Sequence, residues 1–241
     1  APDATVLFDY ADAAGVTFFG TSAKYIDSLS NQKAEPCKTH DLGSIRTIAS
    51  TGSPLAIECY RWIYERLPQV DGKPIWLAPI SGGTDFAGAF VAGLPTLPVI
   101  EGEMQCRCLG AAVEAWSEPD ANGRGRALID EVGELVCVKP MPSMPLYFWG
   151  DTDNKRYVES YFDMYPKVWR HGDWAERTAQ DGLIIYGRSD ATLNPGGVRI
   201  GTAEIYRQVE RLPEVLESLV VAQEWEDDVR VVLFVRLREG L

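Results

Sequence analysis

The chain has 241 residues, enough for one large domain or two smaller ones with buried cores. Hydrophobic residues make up 46% and charged residues 24%, as is typical of a soluble globular protein. The formal net charge of −12 disfavours nucleic acid as a partner, because its phosphate backbone would repel the chain. No apolar run approaches the roughly 20 residues of a membrane span, and no secretory signal begins the chain, so neither a membrane nor export is predicted.

The first ninety residues alternate helix-like and strand-like patterns, as a parallel α/β sheet requires. Helices are predicted over 3–14, 22–29 and 55–67, and strands over 16–19, 44–49 and 75–80. Small polar residues follow each strand, in the clusters Gly20–Ser22, Ser50–Pro54 and Ser81–Asp85. Any one cluster is explained by an ordinary turn, but three together predict one shared polar site at the carboxyl edge of the sheet.

Beyond Leu94 the pattern changes to short strands with turn-rich gaps, which predicts an antiparallel β-barrel or curled sheet. The predicted strands cover 97–100, 104–108, 111–116, 133–138 and 183–186, with an exposed hairpin over 117–126. After Asp190 a helix over 202–211 and strands over 218–222 and 229–235 indicate a small α+β unit. We therefore predict three parts, at 1–93, 94–189 and 190–241.

Five scattered cysteines, an odd number, favour reduced thiols and a cytoplasmic protein. The period-2 spacing of Cys106 and Cys108 places both thiols on one face of a predicted strand. A metal site is one interpretation, but no second pair of ligands with zinc spacing follows. A structural role in the core is therefore predicted for both.

The segment from Gly187 to Ile205 combines paired glycines, two arginines and two acids, and leads directly into the predicted helix. It resembles the hinge motif of the adenylate-forming superfamily, which includes acyl-CoA synthetases, luciferases and peptide-synthetase adenylation domains. Because it contains Asn194 and the pair Gly196-Gly197, its sequence resembles the acetoacetyl-CoA synthetase branch most closely. The resemblance extends almost to residue 1 and implies part of an N-terminal α/β domain, a β-barrel subdomain and the start of a C-terminal domain.

The resemblance implies roles for two polar clusters. Gly83, Thr84 and Asp85 match a motif in which the hydroxyl contacts the α-phosphate of ATP and the acid binds Mg²⁺, a cation that prefers hard oxygen ligands. Most members of the family have Glu where this chain has Asp85. Gly52-Ser53-Pro54 matches the segment that packs against adenine, and no Lys follows it as in a phosphate loop.

Further roles are implied around the hinge motif. Asp173, in His171–Trp174, matches the acid that accepts both ribose hydroxyls, and the alternative interpretation of that segment is a polar hairpin turn. Arg188 matches a second ribose contact, and Arg199 matches an arginine near the phosphates. Asp190 matches the residue about which the C-terminal domain rotates, and Gly196 and Gly197 match a loop near the CoA channel.

Acyl selectivity has a candidate in Gly82. In acetate-specific relatives a Trp aligns with this position and shortens the acyl pocket, so glycine would admit a longer acid. A simple turn requirement explains Gly82 equally well.

The resemblance therefore implies a piece of an acetoacetate–CoA ligase that uses ATP, Mg²⁺ and CoA. Alternatives are a ligase for acetate or propionate, and a non-catalytic nucleotide-binding module. The family's glycine-rich phosphate loop and C-terminal lysine have no match in the chain, so we expect it to be inactive alone. The missing initiator Met is compatible with a fragment or with a processed terminus. A hydrolase using Ser22 or Ser81 is disfavoured, because no G-x-S-x-G elbow is present.

Overall fold

The structure is a computed structural model that describes residues 4–67, 69–70, 72–190, 192–193, 200–209, 211–225 and 228–238. Over these residues the helices are α1 (Val6–Ala14), α2 (Ala23–Asn31), α3 (Ile57–Arg66), α4 (Lys155–Tyr161) and α5 (Thr202–Val209), with a short 3₁₀ turn at Pro36–Lys38. The strands are β1 (Phe18–Ser22), β2 (Thr47–Thr51), β3 (Gln69–Val70), β4 (Lys73–Pro74), β5 (Trp76–Pro79), β6 (Ser81–Gly83), β7 (Gly88–Ala92), β8 (Cys106–Arg107), β9 (Val113–Trp116), β10 (Ala127–Leu128), β11 (Val132–Cys137), β12 (Trp169–Arg177), β13 (Leu183–Arg188), β14 (Thr192–Leu193), β15 (Ile200–Gly201), β16 (Val215–Trp225) and β17 (Asp228–Leu237).

The N-terminal α/β prediction is confirmed. Strands β1, β2 and β5 form a parallel sheet in the order β1-β2-β5, so their carboxyl ends meet at one edge. Gly15 ends α1 in the left-handed conformation (φ 60°), and the Ser22 hydroxyl caps α2 by accepting a hydrogen bond from the Tyr25 amide. The predicted stripe of α3 is buried in the core of this unit, at Leu55, Cys59, Trp62, Ile63 and Leu67.

The antiparallel part is two open sheets, so the predicted barrel is corrected. One sheet has the order β10-β9-β11-β12-β13 and the other β6-β7-β8. Closure would require pairing between the edge strands. In the part of the chain described, β10 pairs with β9, while β13 pairs with β12 and, through a single bridge from Leu183, with Met104. The hairpin over 117–126 is confirmed by antiparallel pairing of β9 with β10.

The predicted strand over 97–100 is wrong, because this segment is a bend followed by irregular chain without ladder bonds. One side chain binds backbone carbonyls in and just before this segment: Gln105 Nε2 donates to the oxygens of Leu94, Leu97 and Pro98 at 3.2, 2.8 and 3.0 Å. Pro95 and Pro98 also lack the amide donors that a ladder needs. Of the strand predicted over 104–108, only Cys106–Arg107 forms.

Three elements near the site were not predicted. The hairpin β6–β7 follows β5 at once, α4 lies in a segment without a clear apolar stripe, and β12 runs through the motif His171–Trp174. The interpretation of that motif as a hairpin turn is therefore wrong. A large buried cluster packs on these elements and includes Phe86, Phe90, Leu135, Trp169 and Leu183.

Within the described residues the C-terminal part contains the predicted helix and two strands, as α5 and the hairpin β16–β17. No described helix combines the length and apolar character that crossing a membrane would require. Cys106 and Cys108 are half-buried free thiols, and Cys108 packs against the large cluster. Among the described residues no three His, Cys, Asp or Glu side chains are grouped as metal ligands.

Candidate active site

The ends of β2 and β5 bring two of the predicted clusters to one edge of the parallel sheet. The Ile80 amide donates to the Ser50 carbonyl at 2.8 Å, so the chain leaves both strands side by side. Gly52, with φ 90°, turns the chain away just after β2, while β5 continues into β6. The segment Gly52–Pro54 and the strand Ser81–Gly83 thus begin at the same edge, as the sequence predicts for one polar site.

Gly82 and Gly83 are packed too closely to carry side chains. A Cβ at Gly82 would lie 2.0 Å from the carbonyl oxygen of Gly88 on the neighbouring strand β7. A Cβ at Gly83 would lie 2.7 Å from Cε1 of His171. Close packing against the Gly88 backbone therefore favours glycine at position 82, and packing against the His171 ring favours it at position 83. This supports the structural explanation of Gly82 over the acyl-pocket explanation.

His171 joins β12 to β6. Its Nε2 lies 3.1 Å from the Gly82 carbonyl oxygen, and its Nδ1 lies 3.4 Å from the indole Nε1 of Trp169. Burial lowers the pKa of His171 to about 4, so the ring is neutral near pH 7. This ring is committed to structural contacts and is no base for a serine nucleophile, which removes support from the hydrolase hypothesis.

A bulge in β12 positions Asp173, the carboxylate predicted to bind ribose. Glu134 pairs with Trp174 and Val136 with Arg170, so the single residue between them on β11 faces three on β12. Gly172, in the middle of the bulge, has φ 85°, and a Cβ there would lie 2.7 Å from Nη2 of Arg188. Such bulges commonly re-aim a side chain beside an active site.

Asp173 and Arg188 face each other across β12 and β13. Arg188 Nη1 lies 3.3 Å from Asp173 Oδ1, and Arg188 Nε donates to Asp190 Oδ1 at 2.8 Å. Burial raises the pKa of Asp173 to about 6, against the opposing effect of the Arg188 charge. The hydrogen bond from Arg188 lowers the pKa of Asp190, so this more exposed carboxyl holds its charge.

Glu134 supports the bulge from beneath and was missed by sequence reasoning. Its Oε1 accepts the Gly172 amide at 2.9 Å, and its Oε2 lies 3.2 Å from Arg170 Nε. The side chain is almost fully buried, and burial raises its pKa. The available signal was a single carboxylate in the apolar strand 133–138.

Thr84 and Asp85 are exposed in the turn between β6 and β7. Asp85 Oδ2 accepts a hydrogen bond from the hydroxyl of Tyr161, at the end of α4. The Tyr161 ring stacks on Trp169 with centroids 3.7 Å apart and an interplanar angle of 12°. Tyr161 was not predicted, because only the fold brings α4 beside this turn.

The structure thus joins Gly82–Asp85 to Asp173, Arg188 and Asp190 through His171. Such a site can bind a polyol by a carboxylate and arginine pair while an adjacent hydroxyl and carboxylate face phosphate or a cation. Gly52–Pro54 begins at the same sheet edge but, within the described part of the chain, does not hydrogen-bond to these side chains. Asn194, Gly196, Gly197 and Arg199 lie outside the described residues.

Known proteins give this arrangement a context. No protein-family model matches the chain. An acetoacetyl-coenzyme A synthetase of Rhizobium meliloti (strain 1021) is 54% identical over 241 residues, which are 100% of this chain and 36% of that protein. The structure of an acetoacetyl-CoA synthetase from Streptomyces lividans is 44% identical with a TM-score of 0.85, over 100% of this chain and 35% of that one.

A more distant structure supports the fold alone. The anthranilate CoA ligase AuaEII, solved in complex with anthranoyl-AMP, is 18% identical with a TM-score of 0.72, over 99% of this chain and 42% of that one. The chain spans little more than a third of the length of the curated relative from Rhizobium meliloti. Over its full length, the chain is therefore homologous to one segment of the acetoacetyl-CoA synthetases.

Proposed function

We propose that the full-length protein is an ATP-dependent acetoacetate–CoA ligase. In the first step a carboxylate oxygen of acetoacetate attacks the α-phosphorus of ATP, the α–β phosphoanhydride bond breaks and pyrophosphate leaves. In the second step the CoA thiolate attacks the acyl carbonyl, a thioester forms and AMP leaves. The observation that carries the proposal is the 54% identity over all 241 residues to a protein named acetoacetyl-coenzyme A synthetase.

We assign the nucleoside to Asp173 and Arg188. A buried carboxylate can accept hydrogen bonds from both ribose hydroxyls, and the Arg188 fork holds it from the opposite strand. Gly52, Ser53 and Pro54 would pack against adenine from the same edge of the sheet. Arg199 is proposed to lie near the phosphates.

We assign the α-phosphate and Mg²⁺ to Thr84 and Asp85. The donor set fits Mg²⁺, because a hydroxyl and a carboxylate offer hard oxygen atoms. No cage of three ligands surrounds Asp85 in the described part of the chain, which suits a cation that keeps waters and binds phosphate oxygens. When bound, Mg²⁺ would neutralise the charge that develops on the phosphates.

The assignments of acetoacetate as the acid and CoA as the thiol rest on similarity to the relatives more than on the geometry of this site. Because packing explains Gly82, acetoacetate is supported by the full-length similarity and not by this glycine. We propose Asp190 as the hinge between the two half-reactions and Gly196 and Gly197 as part of the CoA channel. Arg188 already contacts Asp190, so the proposed hinge begins at a nucleotide-binding side chain.

The remaining assignments are also proposals. We propose a cytoplasmic protein with divisions near 93 and 189, although β7 pairs with β8 across the first of these positions. We further propose that the 241-residue chain alone does not turn over, since the phosphate-gripping loop and lysine have no match in it. Limited proteolysis tests the divisions.

Acid-dependent ATP–pyrophosphate exchange by the full-length protein tests the function. Acetoacetate, acetate, propionate and butyrate are compared with wild type and Asp173→Ala, and AMP binding is measured in parallel. Exchange fastest with acetoacetate, and lost together with AMP binding in the variant, supports the proposal. Fastest exchange with acetate would mean that acetate, and not acetoacetate, is the acid substrate. AMP binding without exchange with any acid would leave a nucleotide-binding module.

A further inference from the structure

We propose that His171 is a positioning residue that fixes the strand Gly82–Gly83, and with it Thr84, relative to Asp173. This inference rests on the proposed function, because it concerns how the phosphate and ribose parts of one nucleotide site are aligned. His171 belongs to neither assigned contact set. It lies between them.

The hydrogen bonds of His171 define which ring nitrogen carries the proton. The Trp169 indole can only donate, so His171 Nδ1 accepts at 3.4 Å. Nε2 therefore carries the proton and donates to the Gly82 carbonyl at 3.1 Å. A donor in this position fixes one peptide group of β6 from β12, a strand of the other antiparallel sheet.

Packing restricts the ring as tightly as its hydrogen bonds do. The ring of Phe90 meets it edge-on with centroids 4.6 Å apart and an interplanar angle of 75°. The bare Cα of Gly83 faces Cε1, where even one methyl group would approach to 2.7 Å. His171 is only 8% exposed. Displacement of the ring and displacement of Gly83 are therefore coupled.

The same ring adjoins the ribose acid. His171 Nε2 lies 3.6 Å from Asp173 Oδ2, and one residue separates the two along the bulge of β12. Thr84 directly follows Gly83. His171 thus contacts both the strand that leads into the phosphate-binding hydroxyl and the ribose-binding carboxylate, and its position contributes to the distance between them. Errors of about 1 Å in such alignment can cost on the order of 100-fold in rate.

The test measures what the α-phosphate adds to binding, as the ratio of AMP affinity to adenosine affinity. In the full-length protein, His171→Phe keeps a ring of similar size but removes the donor, and His171→Gln restores an N–H near Gly82. We expect His171→Phe to reduce the ratio about tenfold and to leave adenosine affinity within about twofold. His171→Gln should recover most of the ratio.

Gly83→Ala provides a second variant if His171→Phe does not fold, because it pushes on the same contact from the other side. We expect it to reduce the ratio as His171→Phe does. His40→Phe is the control: this histidine contacts Asp9 at 2.8 Å, outside the site. Thermal melting of every variant reports whether the fold is kept.

Several outcomes would overturn the inference while the proposed function stands. An unchanged ratio in His171→Phe and Gly83→Ala would do so, as would equal losses of adenosine and AMP affinity. Equal defects in His171→Phe and His171→Gln would mean that the donor does not matter. If wild type shows no acid-dependent exchange and gains nothing from the α-phosphate, the proposed function fails and this inference fails with it.

Discussion

Arg188 Nη1 lies 3.3 Å from Oδ1 of Asp173, its partner across β12 and β13. The same guanidinium contacts Asp190, so it links the predicted ribose acid to the predicted hinge. Burial has already raised the pKa of Asp173 to about 6, and the Arg188 charge opposes a further rise. The pair therefore holds a carboxylate ready to accept hydrogen bonds at neutral pH.

Arg188→Lys is expected to weaken AMP binding about tenfold, because lysine lacks the planar fork that reaches two carboxylates at once. Isothermal titration with AMP measures the effect. Arg61→Lys is the matched control, since Arg61 makes a forked contact to Glu101 on the surface. An Arg188→Lys protein that binds AMP like Arg61→Lys would remove Arg188 from the nucleotide site.

Gly82→Ala distinguishes the two explanations of this glycine. Its Cβ would approach the Gly88 carbonyl oxygen to 2.0 Å, so β6 and β7 must separate. We expect a lower melting temperature and at least a tenfold loss of exchange with every acid alike. Destabilisation of about 1–3 kcal/mol is typical of such overpacking.

Gly20→Ala is the control for that experiment. Gly20 also lies in a strand, β1 of the parallel sheet, but a Cβ there would meet only Phe18 Cε1, at 3.5 Å. The melting temperature and the ATP–pyrophosphate exchange rate of Gly20→Ala should both be close to those of wild type. A Gly82→Ala protein with normal stability and a preference shifted to acetate would instead restore the acyl-pocket explanation.

Sequence patterns predicted the parts of this fold that depend on local periodicity. The stripe of α3 and the glycine cap of α1 are examples, since one face and one backbone angle suffice to define them. The family resemblance implied that Gly83 and Asp173 serve one site, and the structure brings both residues against His171. Patterns could not predict the bulge at Gly172 or the contact of Tyr161 with Asp85, because each depends on a partner distant in sequence.

Tyr161→Phe tests whether α4 prepares Asp85 for Mg²⁺. The Tyr161 hydroxyl holds Asp85 Oδ2, so its removal lets the carboxylate rotate freely. We expect the Mg²⁺ concentration for half-maximal exchange to rise about fivefold, as loss of about 1 kcal/mol of orientation would give. Calorimetric titration of Mg²⁺ in the presence of ATP provides a second measurement.

Tyr165→Phe is the control, because it removes a hydroxyl that donates to the Ser117 carbonyl at 2.9 Å, away from Asp85. It is expected to change stability but not the Mg²⁺ requirement. Equal Mg²⁺ requirements in the two variants would contradict a role for Tyr161 in metal binding.

Acid should affect His171 and Asp173 in opposite directions. In the unfolded chain histidine binds a proton near pH 6.5, whereas burial lowers the pKa of His171 to about 4 in the fold. Between these values the unfolded state binds more protons, so His171 reduces stability as pH falls. Burial raises the pKa of Asp173 from 3.8 to about 6, so this carboxyl binds its proton at a higher pH in the folded state than in the unfolded chain. Asp173 therefore adds stability as pH falls.

Melting temperatures of wild type, His171→Phe and Asp173→Asn from pH 7 to pH 5 separate the two effects. Relative to wild type, His171→Phe should gain stability on acidification, by about 2 kcal/mol at pH 5. Asp173→Asn should lose stability over the same range. Arg188, Asp190 and Glu134 surround the pair and are unchanged in both variants, so their titration is largely shared. If melting temperature depends on pH in the same way in all three proteins, burial does not keep His171 neutral. The assignment of a single N–H donor at its Nε2 would then lose its support.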